Sequence, residues 1–138
     1  MNEQPNDHRR SAEITNDLLC RIKPAFKVWL EVETPSGSKV ILGGGKAELL
    51  RSIVKHGSIN AAAEALGLGF RTAWKLLQEI DQTIRCLGDE FAIIESQRGG
   101  KDGGGTSVTT LGVALVRFLE DIEDKISLQI ENKFLTNH

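Results

Sequence analysis

The segment from Glu95 to Gly112, ESQRGGKDGGGTSVTTLG, combines five glycines between Gly99 and Gly105 with side chains that bind anions. Arg98 and Lys101 supply positive charge, and Thr106 supplies a hydroxyl donor. Glycine permits a positive φ and lets backbone amides approach a ligand closely, so amides and cations together suit phosphate oxygens. Three interpretations follow: a nucleotide-binding loop, a flexible linker, or the tip of a hairpin that touches a larger anion.

The nucleotide-binding interpretation fails on spacing. A Walker-type loop requires G-x-x-x-x-G-K-[ST], but Lys101 is followed by Asp102, and Glu95 stands where the first glycine is needed. The segment also leads into a predicted strand around Val108 rather than directly into a helix N-terminus. Because a second apolar strand is predicted over Phe91 to Ile94, paired strands flank the glycines, which favours a hairpin over a linker. We predict a wing over residues 91–109.

Composition restricts the class of protein. The chain has 138 residues, 40% apolar and 26% charged, which is typical of one water-soluble domain. It contains no apolar run of the ~20 residues that span a bilayer, and its polar N-terminus lacks the apolar core of a signal peptide. Two cysteines, Cys20 and Cys86, indicate no disulfide framework. We expect a cytoplasmic protein with no membrane partner. Because the net charge is only −2, any DNA-binding surface must arise from cations that are grouped on one part of the surface rather than from an overall positive charge.

The N-terminal third predicts a tail, a helix and a hairpin. Residues 1–11 are polar and predict a disordered tail, which leaves residues 12–138 as a single domain. Apolar residues recur at helical spacing from Ile14 to Ile22, and Pro24 ends that short helix. Alternating apolar residues from Phe26, turn residues at 35–38, and a second apolar run at 40–42 predict a β-hairpin over 26–42.

Residues 46–84 predict three helices. Gly57 and Gly67 are stop signals, and Ser58 is a good N-cap for the alanine-rich second helix. The predicted core faces consist of Ala47, Leu50, Ile53 and Val54; of Ile59, Ala62, Ala63 and Leu66; and of Phe70, Ala73, Trp74, Leu77, Ile80 and Ile84. Two short helices joined by a turn that contains glycine are typical of a helix-turn-helix.

The third of these helices carries Arg71, Thr72, Lys75 and Gln78 away from its apolar face. Arginine and lysine can donate to guanine edges or phosphates, and glutamine can form two hydrogen bonds to adenine. A solvated charged face on an ordinary amphipathic helix is the simpler explanation for this helix alone. The order of cap, alanine-rich helix, glycine turn and cationic face favours double-stranded DNA as the partner. The predicted DNA-binding residues are Ser58, Arg71, Thr72, Lys75, Gln78, Arg98, Lys101 and Thr106.

Several motifs together resemble the N-terminal DNA-binding domain of the ModE family of molybdate-responsive transcriptional regulators. They are Gly57-Ser58-Ile59, the alanines 61–63, Leu66-Gly67, Ala73-Trp74, the glycine-rich tip, and Thr109 with Leu111-Gly112. The resemblance implies a winged helix-turn-helix related to that of LysR-type regulators, mainly α with small β. It also implies a homodimer that binds a near-palindromic operator, in molybdenum-related gene control.

The sequence departs from this family in two places. The Ser-Ala-Arg-Asn-Gln type motif of the family's molybdate-binding domains is absent, so we expect no molybdate site of the usual kind. Gly69-Phe70 stands where family members tend to have Ser-Tyr, which removes two hydroxyls from the start of the recognition helix. The resemblance therefore does not predict which bases this chain prefers.

A long C-terminal helix is predicted over 110–134, with an acidic face that includes Glu120 and Glu123. Its apolar stripe is longer than a small domain covers, which favours a partner helix, most simply a second copy. Packing against the helix near residues 13–23 is the alternative, and both arrangements are compatible. The predicted dimerisation residues are Leu115, Phe118, Leu119, Ile122 and Ile126.

Catalysis finds little support, because the three histidines are scattered and no nucleophile–base or paired-carboxylate arrangement is visible. Asp81 is predicted to be a solvated charge or a cap, and Cys86 a buried or half-buried thiol, with a redox role as the minor alternative. We expect no enzyme, no cofactor and no metal site. The runner-up function is a winged-helix module that binds a protein partner without DNA specificity.

Overall fold

The computed structural model describes residues 6–97 and 105–136. The chain divides into two compact units, where the sequence predicts one domain over 12–138. The core unit is Val28–Leu128, and the terminal unit is Met1–Lys27 with Gln129–His138. Within the described residues there are five helices and two two-stranded antiparallel sheets, which confirms a mainly α fold with small β.

The terminal unit contains α1 (Asn6–Arg21), whose described side chains from His8 onward are all exposed. The helix begins inside the segment predicted to be a disordered tail, so that prediction is wrong for residues 6–11. The span Asn6–Arg21 contains no glycine or proline to interrupt it. An ion pair between Arg21 and Asp17 at 3.4 Å, four residues apart, adds a small local stabilisation.

The core unit opens with a hairpin of β1 (Leu30–Thr34) and β2 (Gly37–Leu42), which fall within the predicted segment 26–42. The first strand begins at Leu30 rather than at Phe26. Its side chains alternate between half-buried and exposed, as expected when one face of a sheet packs on a core. Ile41 and Leu42 at the end of β2 are buried and lead the chain into the helices.

Three helices follow: α2 (Gly44–His56), α3 (Ile59–Leu66) and α4 (Phe70–Arg85). The first two end at Gly57 and Gly67, whose φ values of 81° and 66° lie in the left-handed region that glycine adopts without strain. Each glycine N–H bonds back to a carbonyl of the last turn, to that of Ile53 and of Ala63 respectively. These stops turn the chain sharply at both ends of α3.

The core unit ends with β3 (Ile94–Gln97), β4 (Gly105–Val108) and α5 (Thr110–Thr136), whose last residues belong to the terminal unit. The strands pair antiparallel with Ile94 opposite Val108. The strand predicted over Phe91–Ile94 therefore begins three residues later, at Ile94. Arg51 of α2 forms ion pairs with Glu120 and Glu123, so two members of the predicted acidic outer face tie α5 to α2 instead.

The hydrophobic core of this unit includes buried residues of β2, β3 and its four helices, and half-buried residues of β1 and β4 (Leu30, Val32 and Val108) pack against it. The largest fully buried side chains are Leu42, Leu49, Leu50, Leu77, Ile80, Ile93 and Leu119. Three residues assigned to core faces from periodicity, Val54, Leu66 and Phe70, are instead exposed. All three lie near a helix end, where neighbouring elements no longer cover the apolar face.

Candidate nucleic-acid interface

The turn between α3 and α4 fixes where the exposed face of α4 begins. Ser58 starts α3 by accepting a hydrogen bond from the Ala61 N–H through its hydroxyl, at 3.0 Å. The alanines Ala62 and Ala63 are buried, and their small side chains let α3 lie close to its neighbours. Gly69 precedes the first residue of α4 and has no atom within 4 Å of where a side chain would begin. The start of α4 is therefore open to solvent.

One face of α4 is exposed and positively charged. Arg71, Thr72 and Lys75 are exposed, while Gln78 is half-buried. The opposite face carries the buried Ala73, Leu77, Ile80 and Ile84. This division places the four predicted base-reading residues away from the core, on consecutive turns of one helix.

Some cations of the core unit are ion-paired, whereas those of this face, like Lys39, Lys55 and Arg117, have no ion pair among the described residues. Lys46, Arg51 and Arg85 each have a carboxylate partner. Arg71 and Lys75 form no ion pair with any residue in the described ranges 6–97 and 105–136. Two cations that have no ion pair with the described part of the chain can bind an external anion without first breaking such a contact.

The β3–β4 hairpin carries the remaining predicted contacts. Thr106 lies in β4, half-buried, with its backbone opposite that of Ser96. Arg98 and Lys101 lie outside the described residues, so their predicted roles stay predictions. Thr109, directly after β4, donates its hydroxyl to the Ala92 carbonyl at 2.6 Å and accepts the Gly112 N–H at 3.2 Å. It thereby joins the hairpin to the start of α5.

Asp81 links α4 to this hairpin. It is only 6% exposed, which contradicts the prediction of a solvated charge or a helix cap. Its Oδ1 accepts the backbone N–H groups of Ile93 at 2.7 Å and Ile94 at 3.2 Å, and its Oδ2 accepts the Nε–H of Arg85 at 2.6 Å. The sequence contains one signal for the pair of Asp81 and Arg85. The aspartate lies next to the apolar positions of α4 and four residues before the arginine.

A cleft of about 700 Å³ lies between α4, the base of the hairpin and the start of α5. Gln78 of α4, which is half-buried, is one of the residues that line it. Further lining residues are Trp74, Arg85, Glu95, Thr109 and Thr110. Arg85 is engaged with Asp81, and the Thr109 hydroxyl is engaged with Ala92 and Gly112, so Trp74, Gln78 and Thr110 supply the other uncharged hydrogen-bonding groups of the cleft.

The predicted dimerisation stripe divides into two classes. Phe118 is 57% exposed, and Leu115, Ile122 and Ile126 are half-buried. Leu119 is 2% exposed, because it belongs to the core together with Val116, so its assignment to a dimer interface is wrong. Periodicity alone could not separate these classes, since it shows which residues share a stripe but not which edge the core covers.

Other kinds of site receive no support in the part of the chain that the structure describes. No group of three or more histidine, cysteine, aspartate or glutamate side chains is arranged to hold a metal ion there. None of the described helices is long and apolar enough to cross a membrane. Cys86 is exposed, contrary to the prediction of a buried or half-buried thiol, because it follows the last turn of α4, beyond the core.

No protein-family model matches the chain. Among curated proteins, it is 33% identical over 98 residues to the molybdenum transport protein ModE of Azotobacter vinelandii, a match covering 69% of this chain and 34% of that protein. It is 35% identical over 75 residues to the molybdenum-pterin-binding protein MopA of Rhodobacter capsulatus, covering 54% and 26%. It is 31% identical over 75 residues to the DNA-binding transcriptional dual regulator ModE of Escherichia coli (strain K12), covering 54% and 27%. The matches thus span only about a quarter to a third of the length of these relatives.

Proposed function

We propose that the chain, which is similar to ModE and MopA proteins over the segment it shares with them, is a ModE-like, sequence-specific, DNA-binding transcriptional regulator. In this proposal α2 to α4 and the β3–β4 hairpin form a winged helix-turn-helix. The α3–turn–α4 pair is the helix-turn-helix, and α4 is the recognition helix. Strands β3 and β4 are the two strands of the wing, which the sequence predicts over residues 91–109.

The observation that carries the proposal is the exposed, unpaired positive charge on α4. Arg71 and Lys75 lie on the face opposite the buried Leu77 and have no carboxylate partner among the described residues. An α-helix with such a face fits the major groove, where arginine and lysine donate to guanine edges or phosphates. Thr72 and the amide of Gln78 add hydrogen bonds to bases or to the backbone.

The wing and the start of α3 are proposed to contact the phosphate backbone of the DNA. Arg98, Lys101 and Thr106 of the β3–β4 segment supply cations and a hydroxyl, as the glycine-rich sequence indicates. Ser58 uses an oxygen lone pair to cap α3, so its hydroxyl hydrogen stays available for a phosphate oxygen. Such contacts fix the position of the protein on the duplex and make binding salt-dependent.

Two copies are proposed to bind one near-palindromic operator. The exposed ring of Phe118, with Leu115, Ile122 and Ile126 beside it, gives α5 an apolar surface that a second α5 can cover. Burying such side chains is worth about 1.5–3 kcal/mol each when complete, enough together to offset the entropy of association. A symmetric pair places two recognition helices about 34 Å apart, one turn of the duplex.

The names of the relatives point to the genes that are controlled. MopA is called a molybdenum-pterin-binding protein, and ModE of Azotobacter vinelandii is called a molybdenum transport protein. We therefore place this chain in molybdenum-related gene control in the cytoplasm. The expectation that it has no molybdate site of the usual kind stays a prediction, which calorimetry with molybdate and tungstate tests.

Replacing Arg71 by alanine tests the assignment of α4. Removing a side chain that donates to a base should weaken binding to the preferred site by about 1–3 kcal/mol, and binding to random duplex by less. Lys39→Ala, which removes an exposed cation from β2, outside the predicted DNA-binding residues, is the matched control and should leave both affinities unchanged. Fluorescence anisotropy with labelled duplexes measures the dissociation constants of the unaltered protein and of both variants on each duplex.

The results separate the proposed function from the runner-up. Equal losses on preferred and random duplex would move Arg71 to the class of phosphate contacts and remove the base-reading role of its face. A folded protein that binds no duplex at about 0.1 M salt would contradict the proposal and favour a protein-binding module.

A further inference from the structure

Phe70 is a large apolar side chain that the core does not use. It is 53% exposed although its position in the helical repeat predicts a buried residue. Phe70 is the first residue of α4, and side chains in a helix point toward its N-terminus. The ring therefore extends past the end of the core-facing surface, beside Gly69, which has open space around it.

The surroundings of this ring are cationic and hydrogen-bonding. Arg71 and Thr72 follow directly and are exposed, and Lys75 lies about one turn further along. A partner that binds the start of α4 must present negative charge and an apolar group close together. The major groove of DNA does so, because the 5-methyl group of thymine lies on the groove edge between two phosphate backbones.

We propose that Phe70 is a specificity-determining residue that contacts a thymine methyl group in each half of the operator, an inference that rests on the proposed function. The first residues of a recognition helix are the ones that reach base edges. A phenyl ring has no hydrogen-bond donor or acceptor group of the kind that reads the polar edges of bases. Its means of discrimination is apolar contact, and the thymine methyl is the apolar group that the major groove offers.

Phe91 provides a comparison within the same unit. It is also an exposed aromatic residue, 40% exposed, but it lies after α4 in the connection to β3. If exposure of an aromatic ring alone affected binding, both residues would behave alike. The inference assigns methyl recognition to Phe70 and none to Phe91.

The test removes the methyl group from the DNA and the ring from the protein. A preferred duplex is first obtained by selection from random sequences with the unaltered protein. Each thymine is then replaced in turn by uracil, which deletes only the methyl group and keeps every hydrogen bond. Dissociation constants are measured for the unaltered protein, Phe70→Ala, Phe70→Leu and Phe91→Ala, with circular dichroism to verify that each variant is folded.

In each half-site, one replacement of thymine by uracil should weaken binding of the unaltered protein about fourfold. Burial of one methyl group is worth roughly 0.8 kcal/mol, and about 1.4 kcal/mol corresponds to a tenfold change in the dissociation constant. Phe70→Ala should bind the thymine and uracil duplexes equally, Phe70→Leu should keep part of the difference, and Phe91→Ala should keep all of it. Full methyl discrimination by Phe70→Ala, or none by the unaltered protein, would overturn the inference and leave the proposed function standing. Failure to select any preferred duplex would overturn both.

Discussion

Replacing Asp81 by alanine tests how the β3–β4 hairpin is held against the recognition helix. One carboxylate accepts two backbone N–H groups and an arginine N–H, at 2.7, 3.2 and 2.6 Å. Ile93 is fully buried and Ile94 is 8% exposed, so water reaches their amides poorly. Loss of the carboxylate leaves both amides without an acceptor.

The magnitude follows from these burials. A buried donor left unsatisfied costs about 1–3 kcal/mol, so two such donors cost about 2–6 kcal/mol. Arg85 adds little, because its side chain is 39% exposed and water can solvate the freed charge. Water entering the space of the deleted carboxylate favours the lower half of the range. We expect Asp81→Ala to lower the free energy of unfolding by about 3 kcal/mol, and the melting temperature by about 10 °C.

Thermal and urea denaturation followed by circular dichroism measure this loss. Asp89→Ala is the matched control, because Asp89 is exposed in the loop after α4, and it should change stability by less than about 0.5 kcal/mol. Amide hydrogen exchange adds a local readout, since Ile93 and Ile94 should lose protection before the centre of α4 does. A loss below about 0.5 kcal/mol for Asp81→Ala, or unchanged protection at both amides, would refute the reasoning.

Three further changes test the fold and the assembly. Gly112→Ala places a methyl group 2.4 Å from Val108 and 3.0 Å from Ile93, so it should lower the free energy of unfolding by at least about 1–3 kcal/mol. Gly45→Ala, where the added methyl group has open space around it, is the control and should be neutral or slightly stabilising. Ser58→Ala removes the cap of α3 and should cost about 1 kcal/mol; no change would mean that the cap is dispensable. If two copies associate through α5 as proposed, Phe118→Asp with Ile122→Asp should yield a helical monomer in analytical ultracentrifugation. A monomeric unaltered protein at micromolar concentration would contradict the proposed dimer.

Local signals in the sequence predicted the elements that depend on neighbouring residues. The glycines at 57 and 67 and the cap at Ser58 marked the ends of α2 and α3, because these features act through the backbone within one turn. The family resemblance rested on such motifs, and the comparisons confirm it. The sequence also predicted the charged face of α4, since the spacing of residues along a helix shows which of them share a face, whatever covers the opposite face.

Features that depend on distant parts of the chain were missed. Asp81 is buried because residues 93 and 94 return to it from 12 and 13 positions away, which periodicity along α4 does not reveal. Leu119 and Phe118 are neighbours in one predicted stripe, but the core covers only the first. The spacing of Phe70 along α4 predicts a buried ring, but the ring is exposed because α4 begins at the edge of the core.

The central claim is that the chain recognises a DNA sequence, and affinity for a selected duplex compared with a shuffled one tests it most directly. At about 0.15 M salt, the selected duplex should bind at least about 10³-fold more tightly than the shuffled one. Its sequence should be near-palindromic, with half-sites about 10 base pairs apart, and both affinities should fall steeply as salt increases. Equal affinity for the two duplexes, with the protein folded, would contradict the account.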